Sequence, residues 1–347
     1  MAYTAINDSS AHFQTALYNG SSSSVTVTND GNANLQPDWL WIKSRNSTHN
    51  HDTFNSTRGM TSKRLFPNLN NAEDSNGIAS VTSDGFTTGT SIGNINTNGE
   101  TYVAWQWKAN GGTTASNSDG SITSTVQANT TAGFSIVTYA GNATANATVG
   151  HGLGVTPSVI IQKNLTGAYT WRIMHKDLTA GKTLFFTNVA EDSNGDRTDL
   201  TSSTLFTLTG TSNGLNANSN NYIAWCFAEK QGYSKFGSYT GNGNADGPFI
   251  YTGFKPAFIM RKCINEGLDW TMVDSARDPL NVSDENIYAN LNYVEYSGSE
   301  TKFDFLSNGF KMRGDWTTTN KSGNTYIYMA FAETPLVATN NVIALAR

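Results

Sequence analysis

Tyr102-Val-Ala-Trp-Gln-Trp-Lys-Ala109 decides the architecture, because the run returns twice, as Tyr222-Ile-Ala-Trp-Cys-Phe-Ala-Glu229 and as Tyr326-Ile-Tyr-Met-Ala-Phe-Ala-Glu333. Each run follows, at a similar separation, a proline that opens a second apolar run ending in lysine. These are Pro37-Asp-Trp-Leu-Trp-Ile-Lys43, Pro157-Ser-Val-Ile-Ile-Gln-Lys163 and Pro256-Ala-Phe-Ile-Met-Arg-Lys262. A fixed separation of this kind marks a structural repeat. The remaining landmarks keep one order in every copy. A Tyr close to a Gly comes first (Tyr18, Tyr139, Tyr239), before the proline run. An aromatic strand follows that run (Phe54, Trp171, Trp270), then a turn and a Phe (Asp84-Gly-Phe86, Thr204-Leu-Phe206, Asn308-Gly-Phe310). The first two copies also share Ala-Glu-Asp-Ser-Asn-Gly, at 72–77 and 190–195, and duplication accounts for this better than convergence.

Within a copy, short β-branched and aromatic runs alternate with Asn, Gly, Ser and Thr turns, and no stretch keeps a helical apolar period for three turns. Trp39-Leu-Trp-Ile42 and Val159-Ile-Ile161 are apolar at consecutive positions, as expected of strands covered on both faces. About seven or eight strands per copy, with recurring turn signals, predict a two-sheet sandwich or jelly roll. The fold expected is therefore all-β, with three tandem β-sandwich units. The boundaries expected are an N-terminal anchor segment at 1–17, units at 18–112, 133–232 and 233–336, a linker at 113–132 and a C-terminal tail at 337–347. The linker rests on the Gly-rich, Ser/Thr/Asn-rich stretch from Gly111 to Gly120.

Composition agrees. Of 347 residues, 37% are hydrophobic and only 14% charged, so Asn, Thr, Ser and Gly must build the polar surface. The 17 Phe, 14 Tyr and 8 Trp supply the apolar area that a disordered chain lacks. A net charge of -5 without a basic stripe speaks against nucleic acid, which needs clustered Lys and Arg. The N-terminus has no cationic start with an apolar core, and no stretch has the length of a membrane span. Neither a cleaved secretion signal nor membrane insertion is expected. The two cysteines, Cys226 and Cys263, are too few to staple a fold of this size, and whether they pair is left open.

Sequence motifs for chemistry are sparse. A glycosidase needs two carboxylates flanking the bond, and no Glu-x-Asp-x-x-Glu pattern is present. The acidic clusters Glu73-Asp74, Glu191-Asp192 and Asp284-Glu285 read as solvated loop charge. Asp192-Ser-Asn-Gly-Asp196 resembles a calcium loop but lacks the closing bidentate Glu, so it reads as a turn. His49 and His51 lack the further ligands that zinc requires, and His151 and His175 accompany no nucleophile motif. No catalytic residue, metal or cofactor is expected, and the protein reads as non-enzymatic. Among the aromatics, Trp39, Trp105 and Trp225 read as core. Trp107, Trp316 and Tyr296 read as partly exposed and form the candidate glycan contacts, since an exposed ring beside Asn and Asp can stack and hydrogen-bond a sugar.

The segments Pro37–Lys43, Tyr102–Ala109, Gly150–Gly154, Tyr222–Glu229 and Lys235–Phe249, in order, resemble tandem-repeat bacteriophage virion proteins common in phages of aquatic bacteria. The resemblance covers nearly the whole chain. It implies concanavalin-like or jelly-roll sandwich units and brings no catalytic residues with it. It further implies a structural protein on the surface of the phage particle, in capsid decoration or in a tail or fibre. The partners so implied are other capsid or tail proteins, and a homo-oligomer, a trimer, is the expected state. The alternative is a receptor-binding adhesin whose loops contact host surface glycans.

Overall fold

Successive side chains of an extended strand point to opposite faces, so a run with no polar face has to be covered twice. In a computed structural model, which describes residues 4–90, 92–193 and 195–335, that double cover organises the whole molecule. Each copy builds a pair of antiparallel sheets, one large and one of three strands. In the first copy the large sheet orders Phe13–Asn19, Thr101–Trp107, Trp39–Ser44 and Asp52–Asn55. Its three-stranded partner orders Thr26–Thr28, Gly85–Thr87 and Ser80–Thr82. The third copy repeats this plan with Ser234–Thr240, Thr325–Pro335, Phe254–Cys263, Thr271–Asp274 and Ile287–Tyr288. Its small sheet is Phe249–Tyr251, Gly309–Met312 and Phe303–Leu306. The Tyr-led run and the proline run are adjacent in every large sheet, with Trp41 opposite Trp105, Ile161 opposite Trp225 and Met260 opposite Met329.

One face of each large sheet covers its own small sheet. Tyr102, Ala104, Leu40 and Ile42 join Val27 and Phe86 in the first copy, and Tyr222, Ala224, Cys226 and Ile160 join Val149 and Phe206 in the second. The other face meets the other two copies. Trp39, Trp41, Trp105 and Trp107 of the first copy share one cluster with Phe134, Ile161, Trp225 and Phe227 of the second and with Phe236, Phe258 and Phe331 of the third. Trp107, Phe227 and Phe331 occupy the same position in the three Tyr-led runs, and they converge. The Phe331 ring lies 5.7 Å from each of the other two, edge-on to both. The three copies thus enclose one aromatic core that none of them has alone.

Two of the expected boundaries are corrected by this packing. The first unit begins before residue 18, because Phe13–Asn19 pairs residue for residue with the Tyr-led run and Phe13 sits in the shared core. The stretch 113–132 is no linker, because Ala115–Asn117 and Ser124–Asn129 extend the second large sheet to seven strands. Their polar side chains suit an edge, where one face meets water. Met1 to Tyr3 and the expected tail at 337–347 lie outside the described residues.

The opening Tyr of each copy stacks on the Tyr that leads the later run, with centroids 5.0, 5.2 and 5.1 Å apart for Tyr18–Tyr102, Tyr139–Tyr222 and Tyr239–Tyr326. The glycine two residues after each opening Tyr is fixed by what lies beyond it. A Cβ on Gly20, Gly141 or Gly241 would fall well inside contact distance of the carbonyl oxygen of Thr97, Ala217 or Lys321 and against the second Tyr ring. Gly141→Ala is therefore expected to cost about 3 kcal/mol, as overpacking against backbone does, read as a lower urea midpoint with an unchanged slope.

Candidate binding surface at the seam between the third and first copies

Three seams join the copies, and the residues common to all three explain most of the unusual side chains. Glu73 N–H donates to the Leu165 carbonyl at 3.1 Å, Glu191 N–H to Ile264 at 3.0 Å and Glu295 N–H to Arg45 at 2.7 Å. First binds second, second binds third, and third binds first, so the ring is closed. Trp171 Nε1 donates to the Phe66 carbonyl at 2.9 Å and Trp270 Nε1 to the Phe185 carbonyl at 2.8 Å. In the third seam this role falls to His51, whose Nε2 lies 2.9 Å from the Tyr288 carbonyl. Trp41 Nε1 donates to His51 Nδ1 at 2.9 Å, so the neutral ring carries its proton on Nε2. Burial holds this imidazole down at about 3, with Lys43 adding to the effect. His51, rather than Phe54, is thus the first copy's counterpart of Trp171 and Trp270, and Phe54 belongs to the sandwich interior.

The lysines that end the proline runs are tied to backbone carbonyls, and Lys163 and Lys262 also reach across a seam. Lys43 Nζ donates to the carbonyls of Ser44 and Ser47 at 2.6 and 2.9 Å. Lys163 Nζ reaches Tyr169 at 2.7 Å and, across the seam, Asn70 at 3.2 Å. Lys262 Nζ reaches Leu268 at 2.6 Å. Burial brings each ammonium down to about 8. Cys226 and Cys263 are free and buried.

Against that background the third seam stands apart. Arg45 donates to Glu295 through Nε at 3.0 Å and Nη2 at 2.7 Å, and Nη2 also reaches Glu285 at 3.1 Å. Arg277, fully buried, reaches Glu295 at 2.8 Å and Asp274 at 2.6 Å. Burial, then the neighbouring Glu295 carboxylate, pushes Glu285 up to about 7 despite Arg45. Glu295 moves the other way. Burial would raise it, but the hydrogen bonds from Arg45 and the nearby Arg277 charge hold it below the ordinary range.

Four aromatic rings cluster beside this network. The Tyr293 and Tyr288 centroids are 6.1 Å apart, Tyr288 and Trp316 6.0 Å, and Trp316 and Tyr296 6.2 Å. Tyr293 is 56% exposed and Tyr296 40%. Two of the three expected glycan contacts, Trp316 and Tyr296, therefore come together on the surface. The third, Trp107, is only 2% exposed, since the neighbouring copies cover it in the shared core, and it is removed from the set. Tyr293 and Tyr288 were not singled out from the sequence. The available signal was the comparison of copies: counting from the seam glutamates, Tyr293 stands where the others have Asn71 and Val189, and Tyr296 where they have Asp74 and Asp192.

The remaining sequence candidates are placed elsewhere. His49 meets Glu100 at 3.0 Å, His175 meets the Tyr328 carbonyl at 3.1 Å and His151 the Ser202 carbonyl at 3.3 Å. Asp196 pairs with Arg172 at 3.0 Å. No group of three or more His, Cys, Asp and Glu side chains is arranged for a metal among the described residues. No helix among them is long and apolar enough to cross a membrane.

Asp52, fully buried in the first sandwich, gives a pH test. Burial pushes its carboxyl up to about 7, against the pull of Arg64 and Asn94. The Arg64 Nη1 lies 3.2 Å away, while its Nη2 holds Asp74 at 2.6 Å. The folded state keeps this proton up to about pH 7 and the unfolded chain releases it near the ordinary carboxylate value, so folding takes up a proton in between. This group's contribution therefore falls as pH rises through that window. Asp52→Asn is expected to gain roughly 2 kcal/mol over the wild type at pH 8 and nothing at pH 4, from unfolding curves at the two pH values.

Fold and seams together define the class: an all-β protein of paired antiparallel sheets whose repeats are locked into one body by reciprocal seams. The chain belongs to the family described as Domain of unknown function (DUF7483), which matches residues 8–335. No curated protein and no solved structure matches it. The family match runs through all three copies without a break, as does the shared core.

Proposed function

We propose that the chain is a non-enzymatic structural protein exposed on the surface of a bacteriophage particle, as capsid decoration or as part of a tail or fibre. The observation that carries the non-enzymatic half is that the groups suited to chemistry are spent on holding the seams. The carboxylate pair Glu285 and Glu295 has the separated proton affinities that an acid and a base need. Yet Glu295 already accepts from both Arg45 and Arg277, which leaves little of it for a substrate or a water. The virion half rests on the ordered segments quoted above. A closed ring built within one chain supports it as a rigid building block, and a homotrimer would multiply the ring rather than complete it. The partners are then other capsid or tail proteins. Mass spectrometry and electron cryo-microscopy of purified particles test the assignment. Stoichiometric copies arrayed on capsid or tail support it; a chain absent from particles and present only in infected-cell lysate rules it out.

A second reading, a receptor-binding adhesin for host surface glycans, is favoured by the paired Trp316 and Tyr296. Here a few copies at a tail tip, rather than a lattice of them, are the expected location.

A further inference from the structure

The three copies serve as each other's controls: what all three share holds the ring together, and what one alone has is free for another use. By that measure the third copy is the odd one. Ten large apolar or aromatic side chains are substantially exposed among the described residues, and Phe249, Tyr251, Leu280, Val282, Tyr293, Val294 and Tyr296 all belong to it. Most of these are single side chains or lie on the small sheet, with nothing beside them to name an occupant. At the third seam the rings gather in one place and have a polar surround.

Trp316 makes the comparison sharpest. Asn96, Asn216 and Asn320 are equivalent, since each accepts through Oδ1 from the backbone N–H of Ser21, Asn142 and Asn242. Four residues earlier the copies have Ile92, Ser212 and Trp316. Ile92 is buried and Ser212 is small, whereas Trp316 turns partly outward and packs on Tyr288 and Tyr296. Tyr288 shares its seam role with Phe66 and Phe185, whose carbonyls accept the equivalent cross-seam bonds, whereas the other two seams close with no aromatic in place of Tyr293, Trp316 or Tyr296.

We propose that Tyr293, Tyr288, Trp316 and Tyr296 form a stacking platform for a neutral oligosaccharide. This deepens the adhesin reading and rests on it. Aromatic faces attract the polarised C–H faces of pyranose rings, and rings that meet at 89°, 68° and 38° present faces in several directions rather than one flat apolar patch. A protein partner would more usually press against a flat apolar centre with a polar rim. The surround specifies neutrality. Arg45 is paired with Glu285 and Glu295, and Arg277 with Glu295 and Asp274, so the charge of both is offset against an anionic sugar. Glu285 keeps 29% of its side chain exposed, and Asp315 beside Trp316 is exposed. Both carboxyl groups suit sugar hydroxyl groups, and the exposed Asp315 disfavours sialic or uronic acids.

The test uses the intact chain and tetrasaccharides of neutral gluco-, manno- and galacto-configuration, followed by tryptophan fluorescence and by ligand-observed NMR, with a sialylated and a uronic acid oligosaccharide alongside. Binding of at least one neutral sugar is expected, weakened about tenfold by Trp316→Ala and by Tyr293→Ala, the loss of one stacked ring, and largely restored by Trp316→Phe. Tyr293 is the more exposed, so its variant carries the test if Trp316→Ala lowers the melting temperature. Neutral binding untouched by either variant overturns this site while leaving the adhesin reading standing. Preference for the anionic sugars overturns the assigned ligand class. No binding of any sugar overturns both.

Discussion

Trp39→Ala should lower the stability of the entire molecule by about 3–5 kcal/mol, the range for removing a large buried aromatic. Trp39 is 1% exposed and stacks on Trp107 at 4.4 Å, and it also meets Trp225 at 5.2 Å and Phe227 at 5.8 Å in the second copy. Its Nε1 donates to Thr53 Oγ1 at 2.6 Å, so truncation removes that bond too. Because the cavity opens in the shared core, the loss should not be confined to the first sandwich. Urea unfolding followed by near-ultraviolet circular dichroism and by far-ultraviolet signal should shift to a common lower midpoint. Separate midpoints in the two signals would mean that the first copy melts alone.

Asp274→Ala should cost a similar amount, about 3–5 kcal/mol, for an electrostatic reason. Asp274 and Arg277 are both fully buried and bond at 2.6 Å, and the same carboxylate accepts from the Arg277 backbone and from Trp105 Nε1 of the first copy. Removing it strands a buried guanidinium with only Glu295 and the Met272 carbonyl, and leaves a buried indole N–H without its acceptor. Asp274→Asn keeps an acceptor oxygen and should cost distinctly less. Equal losses for the two variants would show that the negative charge, which both remove, and not the acceptor oxygen or the packing that Asn keeps, holds that corner of the seam.

What the sequence disclosed follows from what its periodicity can encode. Strands apolar at consecutive positions announce two covered faces, and the three occurrences of the Tyr-led run announce three large sheets. Nothing local says what covers the second face, since the cover comes from the neighbouring copies, from Phe258 and Phe331 in the case of Trp107. That is why Trp107, followed by Lys108 and Ala109, looked like the exposed end of a strand and lies at the centre of the ring. The polar strands Ala115–Asn117 and Ser124–Asn129 read as a linker because an edge strand needs no apolar face of its own. His51 reads in the sequence only as a candidate metal ligand, because it does the work of an indole, donating one N–H across a seam, with a different side chain. At the surface, Trp316 and Tyr296 were legible as outward aromatics, while Tyr293 and Tyr288 needed the register of the seam to place them beside the other two.

Scanning calorimetry of the intact chain tests the closed ring most directly. The account predicts one transition with equal calorimetric and van't Hoff enthalpies, because no copy can lose its structure without exposing the core of the other two. Two or three resolved transitions, or a calorimetric enthalpy two to three times the van't Hoff value, would contradict it and return the molecule to a string of independent sandwiches.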